Sequence, residues 1–89
     1  MSGNDIINLI FVKEDMKLSL IQEINKPFCK IAELVMKKFS INKESEEPYF
    51  IFHGTILDIN SAQPLNFFKI INNSTIQVVC GAEVIGGNI

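Results

Sequence analysis

The chain has 89 residues, 47% of them hydrophobic, and a formal net charge of −2, which suits one folded domain with a single modest core. All eight basic residues are lysines, and the missing arginine together with the net negative charge argues against a nucleic-acid partner held through its phosphates. No apolar run approaches the roughly 18–20 residues that cross a bilayer, and "MSGNDIINLIFVKED" lacks the basic and apolar regions of a signal peptide. The expected address is therefore cytoplasmic, nuclear or both, with no membrane partner.

Residues 1–5 are expected to be a flexible N-terminus. "IINLIFV" (6–12) is apolar and rich in β-branched and aromatic residues, and reads as a strand. "KEDMK" interrupts it with charge, and "LSLIQEI" (18–24) resumes with Leu18, Leu20 and Ile24 on one face. Two strands with a short polar break read as an antiparallel hairpin, although no glycine or proline fixes the turn type.

"NKPFCKIAELVMKKF" changes period. Pro27 suits the first helical position, with Asn25 or Lys26 as the cap. Phe28, Ile31, Val35 and Phe39 recur at helical spacing, with Leu34 widening the stripe. Lys37 and Lys38 fall in the last turn, where positive charge suits the helix dipole.

"NKESEEP" (42–48) reads as a charged loop, "YFIFHG" (49–54) as a strand stopped by glycine, and "TIL" (55–57) as a short strand pairing back. "LNFFKI" is expected to make one helical turn with Leu65 and Phe68 inward. "NNST" then leads into a last strand, "IQVVC" (76–80). The sum is an α+β domain over 6–80, one amphipathic helix across a mixed sheet of four to five strands. Residues 81–89, "GAEVIGGNI", lose periodicity and read as a mobile tail.

The sequence holds no phosphate-binding loop, dinucleotide loop or nucleophile elbow. His53 and the cysteines Cys29 and Cys80 could supply a thiol–imidazole pair, but nothing in the sequence brings them together. They also lack the close spacing of a zinc site. With no secretory signal, both cysteines are expected to stay reduced. The chain reads as a non-enzyme without cofactor or metal.

Several segments resemble the ubiquitin-like β-grasp family. "NLIFVK" is similar to ubiquitin's opening strand, which also reads Ile-Phe-Val-Lys. "FIFHGTIL" resembles its third strand and the turn after it. "PLNFFKI" matches the spacing of the family's Thr-Leu-x-x-Tyr-x-Ile segment through Leu65, Phe68 and Ile70. "NNSTIQVV" resembles the final polar turn and strand.

The resemblance implies a partner-recognition patch on the outer face of the third and fifth strands. Ile51 and Val79 hold its two central positions. Gln77 stands where the family has a flanking histidine, His53 replaces a small residue, and Gly54 keeps the turn. An outward apolar pair suits such a patch; turned inward, the same residues would be core.

The resemblance also implies a conjugation role for Gly86 and Gly87. A modifier's tail must thread narrow enzyme channels, which side chains would obstruct and glycine does not. Here the glycines lie about two residues later than in ubiquitin, "CGAEV" lacks the family's tail arginines, and Asn88-Ile89 follow. A processing cut would expose Gly87, as in a modifier precursor or a polyprotein. The family's two most-used acceptor lysines are replaced by Thr55 and Asn72, while Lys13 matches its lysine at the end of the first strand. The expected partners are proteins: ubiquitin-like-binding domains and activating, conjugating or processing enzymes, met by a monomer. The alternative is a non-conjugated interaction domain of a larger adaptor.

Overall fold

Eight strand residues in near-perfect alternation open the fold. In β1 (Ile6–Lys13) Ile7, Leu9 and Phe11 are buried while Asn8, Ile10 and Val12 lie on the other face, as a pleated strand requires. The computed structural model describes residues 6–81. The expected flexible segment 1–5 and nearly all of the expected mobile tail lie outside the described residues.

β2 (Met16–Glu23) returns antiparallel to β1, from Lys13 opposite Met16 to Ile6 opposite Glu23. It starts earlier than the hydrophobic pattern suggests because the connection is only Glu14 and Asp15. Glu14 takes φ 57, the left-handed conformation a tight hairpin needs and that glycine usually supplies.

α1 (Phe28–Lys38) buries Phe28, Ile31, Ala32, Val35 and Met36. Its stripe differs from the expected one at Leu34, which is only half-buried, whereas Met36 joins the core. The cap differs too. Pro27 precedes the helix as N-cap, and neither Asn25 nor Lys26 caps by side chain. The first amides, of Phe28 and Cys29, instead donate to the carbonyls of Gln63 and Ser61 at 2.9 Å each. A helix start can be satisfied by any well-placed acceptor, and here a distant loop provides it, beyond the reach of a local sequence pattern.

The expected charged loop contains a helical turn, α2 (Lys43–Glu46). Asn42 Oδ1 accepts from the amides of Glu44 and Ser45 at 3.0 and 3.1 Å, an ordinary asparagine N-cap. β3 (Pro48–Phe52) and β4 (Thr55–Leu57) form a hairpin closed by His53 and Gly54, at φ 52 and 78. Positive φ at both central residues is the two-residue turn that matches strand twist.

A 3₁₀ turn (Leu65–Phe68) buries Leu65, with Phe68 packed against the core. β5 (Ser74–Cys80) then enters the middle of a five-stranded sheet ordered β2-β1-β5-β3-β4. It runs parallel to β1 and antiparallel to β3. Three asparagines set its entry: the Asn8 amide donates to Asn72 Oδ1 at 2.8 Å, Asn8 Nδ2 to Asn73 Oδ1 at 3.2 Å, and the Asn73 amide to the Asn8 carbonyl at 2.7 Å.

The core lies between α1 and the inner sheet face. Phe50 meets Phe11 and Phe28 edge-on, with centroids 6.0 and 5.8 Å apart, an arrangement that adds about 0.5–1.5 kcal/mol per pair beyond burial.

Candidate protein-binding surface

Because strand side chains alternate, every inward residue of β3 and β5 places its neighbours on the opposite face. Phe50, Phe52, Ile76 and Val78 are buried. Tyr49 and Ile51 of β3, and Thr75, Gln77 and Val79 of β5, therefore share the outer face. The register sets Tyr49 opposite Val79, Ile51 opposite Gln77, and Ile51 opposite Ile56 of β4. Val12 of β1 lies opposite Gln77 from the other side.

An apolar cluster results. Ile51 and Val79 are half-buried, while Tyr49 and Ile56 are 41% and 62% exposed. Gln77 is an exposed amide between Ile51 and Val12. His53 and Gly54 stand at the end of this face in the β3–β4 turn, and the His53 ring packs on Phe52 with centroids 4.2 Å apart.

Tyr49 also meets the end of β5. A Cβ on Gly81 would lie 2.5 Å from Tyr49 Cε2, so the ring lies close over a backbone position that only glycine leaves open. The Gly81 amide donates to the Glu47 carbonyl at 2.8 Å, just past the end of β5. Gly86 and Gly87 lie outside the described residues.

His53 and the cysteines are not brought together. Cys80 is buried opposite Pro48, five residues from His53 along an extended strand, roughly 16 Å at strand rise. Cys29 is half-buried at the start of α1. No group of three potential metal ligands occurs among the described residues, and no described helix is long and apolar enough to cross a membrane.

Solved structures share this architecture. The ubiquitin-like domain of Arabidopsis thaliana protein At2g32350 superimposes with a TM-score of 0.75 at 11% identity, over 90% of this chain and 82% of that one. Ubiquitin from Caldiarchaeum subterraneum gives 0.73 at 10% identity, over 85% and 94%. The UBL domain of Plasmodium falciparum Dsk2 gives 0.72 at 18% identity, over 85% and 99%. The chain has the ubiquitin-like β-grasp fold. No family model matches it, nor does any curated protein, and at these identities the structural likeness speaks for the fold alone.

Within this ubiquitin-like domain the outer cluster is wider than the Ile51–Val79 pair read from the sequence. Tyr49 and Ile56 extend it. The signal for both was present: Tyr49 precedes Ile51 by two residues, hence shares its face, and a two-residue turn at His53-Gly54 brings Ile56 opposite Ile51. Thr55 and Asn72 are both exposed.

Proposed function

We propose that this ubiquitin-like domain is a protein modifier, made as a precursor or within a polyprotein, that is recognised through its outer sheet face. The observation that carries the recognition half is the apolar cluster of Tyr49, Ile51, Ile56 and Val79, set on the face away from the core. Small aliphatic and aromatic clusters of this kind hold protein partners. The conjugation half rests on Gly86-Gly87 in the sequence, which processing before Asn88 would expose. Its place of action on this reading is the cytoplasm or nucleus.

A second reading is an interaction domain that is never conjugated. It is supported by the Arabidopsis and Plasmodium neighbours, each described as a domain of a named protein. Incubation in extract from the source cell, followed by mass spectrometry, separates the two. Loss of Asn88-Ile89 alone, followed by higher-mass adducts, is the modifier's result. An intact chain that forms no adduct sinks the modifier and leaves the interaction domain. In the same extract Ile51→Ala should lower partner capture by about tenfold, the scale of a modest hot spot, with an unchanged circular-dichroism spectrum. Unfolding would instead assign Ile51 to the core.

A further inference from the structure

A cleft of about 720 Å³ opens between the β3–β4 turn and the segment that leads into β5. Phe52 and Leu57 are buried beneath it and Phe68 is packed against the core. Its lips are Phe67 and Ile71, 60% and 67% exposed. Phe67 is braced from below: its ring meets Phe68 at 5.1 Å, and Phe68 meets the core ring Phe28 at 5.4 Å. An exposed aromatic already packed on a neighbouring ring loses little side-chain entropy when something lands on it.

The charge of the cleft runs against that of the chain. The molecule has ten acidic residues against eight basic ones, but among the described residues no carboxylate lines the cleft. Among the described lining residues Lys69 alone is charged, accompanied by the His53 imidazole and the amides and hydroxyls of Asn72, Asn73, Ser74 and Thr75. Among the described residues the Lys69 ammonium has no ion-pair or hydrogen-bond partner. Its backbone is set by the 3₁₀ turn, where Lys69 is the left-handed C-cap at φ 62. An apolar floor beside one uncompensated cation selects a large apolar group that carries a nearby negative charge.

The openness of the cleft decides between a small molecule and a chain. Small-molecule sites bury most of the ligand's surface, whereas the lips here stand well into solvent. That shape suits a segment that passes through and continues beyond. We propose that the cleft is a second binding site, adjoining the outer sheet face at His53 and Thr75 but centred on Lys69, that takes a short acidic peptide segment of a protein partner. A large apolar side chain of the segment rests on Phe52, Leu57 and Phe68, and a carboxylate meets Lys69.

The test is a nitrogen-15 NMR titration of the full chain with the peptide acetyl-Asp-Glu-Phe-Leu-Asp-amide. Saturable shifts are expected at the amides of Thr55, Lys69, Ile71 and Asn73, and Lys69→Glu should weaken binding by about fivefold or more, the upper range for one exposed charge pair. Ile51→Ala should leave this affinity unchanged, which keeps the result independent of the sheet-face reading. Replacing the peptide's phenylalanine by alanine should abolish saturation. The proposal is overturned if the shifts centre on Ile51, Gln77 and Val79, or if no saturable shift occurs. It is equally overturned if a lysine-for-acid version of the peptide binds as well, or if 4-phenylbutyrate binds as tightly as the peptide, since a small amphiphile would then be the ligand.

Discussion

Phe50 and Ile51 are neighbours in β3 and face opposite ways. Phe50 is fully buried between the rings of Phe11 and Phe28, so strands and helix meet on one side chain. Ile51 lies on the other face, between Gln77 of β5 and Ile56 of β4, away from α1. A one-residue step along a pleated strand thus separates what holds the fold from what it can show to a partner. The inner residue is constrained by everything around it, and the outer one by little beyond its cross-strand neighbours.

The strongest way to break this contrast is Phe50→Ala. Removing a buried aromatic from a packed core costs about 3–5 kcal/mol, a large share of the 5–15 kcal/mol that typically holds a domain together. Urea denaturation should show a midpoint far below the parent's, or a chain already unfolded in buffer. A loss below about 1 kcal/mol would mean that the core relaxes around Phe50 and that the inner face is less constrained than its burial implies.

Gly54→Ala comes next and acts on the corner where the two faces meet. A Cβ there meets no atom within 4 Å, so only the backbone at φ 78 resists. The left-handed conformation costs a non-glycine residue about 1–2 kcal/mol, which should appear as a melting temperature lowered by about 4–8 °C per kcal/mol in a domain of this size. His53 already holds such a conformation at φ 52, and the reverse change, His53→Gly, relieves that strain but gives up the ring's packing on Phe52.

The elements read most clearly from the sequence are those whose pattern is local. The alternation in "IINLIFV" and the helical stripe of Phe28, Ile31 and Val35 each report their own burial. The hairpin of β3 and β4 was legible because Gly54 marks its turn. Features that depend on distant partners were not. The cap of α1 comes from Gln63 and Ser61, more than thirty residues away in sequence, and no residue near Pro27 signals it. The turn at Glu14 uses a left-handed glutamate where a glycine would have announced it. The outer face was legible at Ile51 and Val79 only through the family resemblance; Tyr49 joins them by the alternation of its own strand, and Ile56 through the two-residue turn that sets it opposite Ile51. Nothing local marks the cleft at Lys69, since its walls come from β3, β4 and the segment before β5.

Ile56→Thr should have the smallest effect on the fold and is the sharpest probe of the outer face. Ile56 is 62% exposed and opposes Ile51 in the hairpin. Threonine keeps the β-branch that suits an extended backbone, and exposed substitutions of this kind stay within about 0.5 kcal/mol of the parent. The melting temperature should therefore barely move, while an apolar partner loses a contact on the patch. A variant that melts like the parent but captures less partner separates recognition from stability at one residue. One that captures as much removes β4 from the surface and confines recognition to β3 and β5. The comparison with Phe50→Ala then turns on direction alone, because both residues lie in one hairpin and differ in which side of the sheet they face.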